Sequence, residues 1–194
     1  MGKEREILII NGRRIIPTLF DAQFLLENHL IATKEIIDNS VYQVSNFATN
    51  IELLDDYNTK LIVRPNSIGI YGNFDNIIKI YNIIKEQQGE IEFYNIEYFL
   101  LFHFEEAGIF KKTVSEISSF EFLNIDLIKF SKENHFIKLK ECATDKLHIE
   151  ITKELEPELY PMPLNKNPFD VEKEIKDTNE FANLLFSKFL KLNI

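Results

Sequence analysis

The chain has 194 residues, 45% of them apolar and 27% charged, and a formal net charge of −9. That is long enough to bury a core and too apolar for disorder. The acidic balance argues against a broad phosphate-binding surface, which needs clustered Lys and Arg.

Cys142 is the only cysteine, which excludes an internal disulfide and metal sites built on cysteine pairs. The N-terminal MGKEREILIINGRR carries an apolar run of only four residues. It reads as neither a signal peptide nor a membrane span, so a cytoplasmic protein with no membrane contact is expected. The compact basic groups, Arg13-Arg14 and Lys111-Lys112, read as solvated surface charge.

Residues 7–16 read ILII-NG-RRII. Asn-Gly supplies the positive φ angles of a two-residue turn, so a hairpin is expected there. Asp21 is placed to cap a helix over 22–38. Residues 41–54 read as extended. The stretch 57–89 is the clearest in the chain. Leu61 and Val63 alternate with polar neighbours, Pro65-Asn66 breaks the run, and Ile68 and Ile70 resume it. A helix follows, with Asp75 as its expected cap, Ile77, Ile80, Tyr81 and Ile84 at helical spacing, and Gly89 at its end.

A long strand over 91–104 comes next, then a loop over 105–119. A meander follows, marked by Leu123, Ile125 and Leu127, by Ile137 and Leu139, and by Leu147, Ile149 and Ile151. The proline-rich segment 155–170 reads as a rigid extended connection. Asp177 with Glu180 has the pattern of a capping box, so the closing helix is expected over 178–191.

The fold class expected is α+β: a mainly antiparallel, curved sheet with about three helices packed on one side. The chain reads as a single domain, with halves 1–90 and 91–194 sharing one sheet. The order strand–strand–helix over 57–88 is echoed by strands over 135–152 and the closing helix; this reads as an architectural echo, with a degenerate internal duplication left open.

Thr59-Lys60-Leu61-Ile62, Ile68-Gly69-Ile70-Tyr71-Gly72 and Ile80-Tyr81-Asn82-Ile83-Ile84 together resemble the strand–strand–helix of one repeat of the TATA-binding protein fold. The resemblance spans about 30 residues and implies a curved antiparallel sheet with helices on its convex side. That family wedges base steps with phenylalanines near the strand turns. The comparable position here is Val63, beside Arg64, so the resemblance implies the shape and not the DNA activity.

Few residues suggest chemistry. His103 precedes Phe104-Glu105-Glu106, and a histidine near carboxylates suits acid–base work or a metal. Cys142 is six residues from His148, which would serve a nucleophilic thiol as base if a strand turn brought them together. These three are the catalytic candidates. No two histidines are placed by spacing to meet, and no metal or cofactor is expected. GxGxxG, Walker and GxSxG motifs are missing. His148, Glu150, Lys138 and Lys140 read as cross-strand partners on one wet face.

In the long strand, Tyr94, Tyr98 and Phe102 share one face, and Phe93, Phe99 and Leu101 the other. Both faces are apolar, which makes Tyr94, Tyr98 and Phe102 the candidate interaction face. The function expected is therefore a non-catalytic binding or assembly protein. It would dock a protein partner, or a second copy of itself, on a sheet face, as a component of a microbial defence or regulatory complex would. Two alternatives remain open: a small enzyme using His103 or Cys142, and a nucleic-acid-binding module using Arg64, Lys138 and Lys140.

Overall fold

The strand–turn–strand–helix unit forms as its periodicity implies. The computed structural model describes residues 2–28, 41–44, 48–52, 59–88, 90–104, 127–132, 134–142, 146–158 and 161–189. Within them β4 (Lys60–Arg64) turns at Pro65-Asn66 into β5 (Ser67–Gly72). Helix α2 (Phe74–Gln87) follows and buries Ile77, Ile78, Ile80, Tyr81 and Ile84. Each of these side chains contributes about 1.5–3 kcal/mol by leaving water. The N-cap of α2 is Asn73, whose side chain accepts from the amide of Asn76. Asp75, the cap expected from sequence, instead lies in the first turn, where its charge faces the positive end of the helix dipole. Gly89 lies outside the described residues.

The remaining strands are β1 (Gly2–Arg13), β2 (Val41–Val44), β3 (Thr49–Glu52), β6 (Glu92–Phe104), β7 (Leu127–Lys132), β8 (His135–Cys142), β9 (Lys146–Leu155) and β10 (Met162–Pro163). Helix α1 (Ala22–Glu27) is capped by Asp21, which accepts from the amide of Phe24 at 2.9 Å. Helix α3 spans Val171–Leu184. The fold class is α+β: among the described residues there are two long helices and one short one, and the sheet is mainly antiparallel.

The chain forms two compact units. The first comprises residues 6–98 and 154–171. Its strand order is β2-β3-β4-β5-β1-β6, with β10 on β6. Leu8 and Ile10 of β1, Leu61 and Val63 of β4, and Ile68 and Ile70 of β5 are buried with the apolar stripe of α2. The described part of the proline-rich segment joins this core through β10 and, in place of an extended run, a 3₁₀ turn at Leu164–Lys166. Met162 pairs with Phe93, Leu164 is fully buried, and Asn167 donates to the Tyr81 hydroxyl at 2.7 Å.

The second unit comprises residues 1–5, 99–153 and 172–194, with strand order β6-β9-β8-β7. The register Phe136↔Thr152 to Cys142↔Lys146 confirms the β8–β9 hairpin of the expected meander. Positions 123 and 125 lie outside the described residues. Phe186 packs edge-on against Phe102 at 4.6 Å, and Phe181 stacks on His135 at 4.2 Å.

Three local expectations are corrected. Asn11-Gly12 makes no hairpin. β1 runs straight through it, pairing Ile10 with Ile68 and Asn11 with Ser67 of β5. Gly12 is needed for close approach: a Cβ there would lie 2.5 Å from the carbonyl oxygen of Glu92. The positive φ falls two residues later, at Arg14. The closing helix begins at Val171, not at Asp177, so Asp177 and Glu180 are mid-helix and make no capping box. The actual start is marked by Glu172 and Glu174 in its first turn. Finally, burial along β6 shifts phase. Ile91 and Phe93 are buried, Tyr94 and Asn95 both face outward, and Ile96, Tyr98, Leu100 and Phe102 are buried. Strict alternation had placed Tyr94 with Tyr98.

Candidate functional site

In the first unit, the residues out of phase with the core form a second sheet face. The register sets them in three rows across β1, β5 and β4: Ile7–Tyr71–Lys60, Ile9–Gly69–Ile62 and Asn11–Ser67–Arg64. Ile7, Ile9, Ile62 and Tyr71 are each half-buried. Gly69 leaves room for the Tyr71 ring at the middle row, since a Cβ there would meet Cε2 of that ring at 3.1 Å. Three isoleucines and one aromatic ring thus make a low apolar patch, with Lys60 and Arg64 at its β4 side.

A polar strip runs along the β6 side. Asn11 donates to Asn95 Oδ1 at 2.9 Å and to Glu97 Oε2 at 3.3 Å. Asn95 in turn donates to Glu154 Oε1 at 2.6 Å. These bonds lock the amides in one orientation, leaving an acidic margin on the strip. Arg13 and Arg14, read as solvated charge, both engage Glu92, the latter at 2.8 Å. That contact holds the Arg13 guanidinium pKa above its ordinary value.

In the second unit, β6 and β9 bring two histidines together. His148 Nδ1 lies 3.2 Å from His103 Nε2, with ring centroids 4.7 Å apart and planes at 68°. Sequence spacing gave no sign of this, because the residues are 45 apart and meet only through strand pairing. Next to them Lys138 forms an ion pair with Glu150, its register partner on β9, as the wet-face reading expected. Lys140, the register partner of His148, is exposed. Among the described residues, no three His, Cys, Asp or Glu side chains converge as a metal site.

The sequence candidates are divided by the structure. Tyr94 is 38% exposed, whereas Tyr98 and Phe102 are 2% and 5% exposed and belong to the cores. The Tyr98 hydroxyl donates to buried Glu6 at 2.5 Å. Arg64 is exposed, and Lys138 is committed to Glu150. Cys142 sits opposite Lys146 in the β8–β9 register. His29, Glu105, Glu106, Lys111 and Lys112 lie outside the described residues. His135 is buried at the start of β8 within reach of Thr178 Oγ1 at 3.2 Å. The patch residues Ile7, Ile9, Ile62 and Tyr71 were missed as a site. The missed signal was the period-2 alternation of β1 continuing through Asn11.

No family model matches this chain. No curated protein matches it either. Among solved structures, it is similar to Methanococcus jannaschii TBP, at 16% identity and a TM-score of 0.30, over 91% of this chain and 95% of that one. The likeness is a weak one at the level of fold, as the short sequence resemblance was. Among the described residues, no helix is long and apolar enough to cross a membrane.

Proposed function

We propose that this chain is a non-catalytic binding or assembly protein whose docking surface is the patch of Ile7, Ile9, Ile62 and Tyr71. The observation that carries the reading is the row Ile9–Gly69–Ile62 under the Tyr71 ring. It is an apolar stripe three strands wide on the face opposite the buried core of the first unit. Half-exposed aliphatic and aromatic side chains with a polar margin are the make-up of a docking surface. The occupant is a separate protein presenting apolar side chains and Lys or Arg. Its cations would meet the margin of Glu97 and Glu154, and a net charge of −9 opposes the approach of a second copy. A multi-protein microbial assembly, defensive or regulatory, is a setting that suits such a component.

The test is a paired capture. Wild-type chain and the Ile9→Lys/Ile62→Lys double variant are used as bait, and bound proteins are then titrated individually against each. A stoichiometric basic partner that binds wild type and loses at least tenfold affinity for a folded variant supports the proposal. A partner indifferent to the two substitutions counts against it, as does a chain that self-associates through the patch.

A further inference from the structure

We infer that His103 and His148 form a binding site for a borderline-soft divalent metal ion, of which Zn²⁺ is the representative. The geometry points to it in three ways. First, the facing atoms are His103 Nε2 and His148 Nδ1, both ligand atoms, and they are 3.2 Å apart. Two Zn–N bonds of about 2.05 Å spanning that gap of 3.2 Å enclose an angle of about 103°, close to tetrahedral. The spacing of the two nitrogens is therefore the one that a small cation bound to both requires.

Second, the contact between the rings is bent. A straight N–H···N bond along both ring axes would hold the centroids about 5.5 Å apart. The observed separation is 4.7 Å at 68°, so the contact between the two nitrogens is bent away from that straight line. A bent hydrogen bond fills that arrangement when no ion is present; on metal binding the donor ring takes the tautomer with its proton on its other nitrogen, so that both facing nitrogens offer a lone pair. Third, both rings are partly buried and sit on adjacent strands, β6 and β9. Strand pairing pre-orders the ligands and reduces the entropy cost of binding.

Imidazole donors suit Zn²⁺, Ni²⁺ and Cu²⁺ over Mg²⁺ or Ca²⁺, which prefer oxygen. The pair supplies two ligands, and the other coordination positions fall to water or an incoming donor. Lys140, opposite His148, is the nearby opposing charge by register. It is exposed, so solvent and salt screen it. The site goes beyond the docking proposal, since it lies in the second unit and uses none of the patch residues.

The experiment is calorimetric titration of the full chain with ZnCl₂ in a non-chelating buffer at pH 7.5, with Ca²⁺ as a comparison. One Zn²⁺ per chain is expected. The affinity should fall at least tenfold in His103→Ala and in His148→Ala and stay unchanged in His135→Gln. A backup that needs no variant is side-chain NMR of wild type with substoichiometric Co²⁺. The ring signals of His103 and His148 should shift or broaden first, ahead of those of His135. Wild type taking up no Zn²⁺ at 100 µM metal (about −5.5 kcal/mol as a binding free energy) would overturn the inference. Retention of the site within threefold in the double alanine variant, or Co²⁺ acting first on other histidines, would overturn it as well.

Discussion

The phenol of Tyr98 donates a 2.5 Å hydrogen bond to the carboxylate of Glu6, and both residues are buried, at 2% and 6% exposure. The bond ties β6 to β1 inside the core of the first unit. A tyrosine read as part of a candidate interaction face is therefore an internal strut. Tyr98→Phe removes a donor to a buried carboxylate and should lower stability by about 1.5–3 kcal/mol. Urea denaturation measures this. Partner binding by the folded fraction should be unaffected.

Gly12 gives a second separation of readings. If Asn11-Gly12 were a turn tip, Gly12→Ala would disturb only local φ preference. In the structure the new methyl meets the Glu92 carbonyl, a backbone atom that cannot swing away. The substitution should cost about 1–3 kcal/mol, as overpacking does, seen as a lower denaturation midpoint at an unchanged slope.

The cap of α2 can be tested in the same way. Asn73→Ala removes the acceptor for the Asn76 amide and should cost about 0.5–2 kcal/mol. Asp75→Ala removes only a favourable charge in the first turn and should cost about 0.3–1 kcal/mol. Thermal melts of the two variants, measured together, should rank them in that order.

What was legible in the chain followed the range of the interaction concerned. β4, β5 and α2 are specified by contacts within about thirty residues, so alternation and helical period sufficed. The Lys138–Glu150 pair was legible because a hairpin fixes its own register. Asn11-Gly12 misled because whether a chain turns there depends on β5, more than fifty residues on, and on the approach of Glu92. The outward phase of Tyr94 and Asn95 escaped because alternation carries no record of a shift within a strand. The meeting of His103 with His148 depends on the order of β6 and β9, which no local pattern encodes.

Tyr81 gives a pH dependence. Burial raises its phenol pKa above the ordinary value of 10.0, and the hydrogen bond from Asn167 offsets part of that rise. The folded state thus holds the proton more tightly than the unfolded chain. Its contribution is fully present below about pH 10. It is lost as pH rises beyond that, because the unfolded phenol ionises first. Denaturation from pH 8 to 11 should show a falling stability whose slope is smaller in Tyr81→Phe.

Docking through the patch around Gly69 requires a surface that the fold itself does not need. The most direct measurement compares Ile9→Lys/Ile62→Lys with wild type in denaturation and in binding to a purified partner. Stability within about 1 kcal/mol, as for substitutions outside a core, together with loss of binding is the result expected. A double variant that unfolds like a core substitution, or that binds its partner as wild type does, would contradict it.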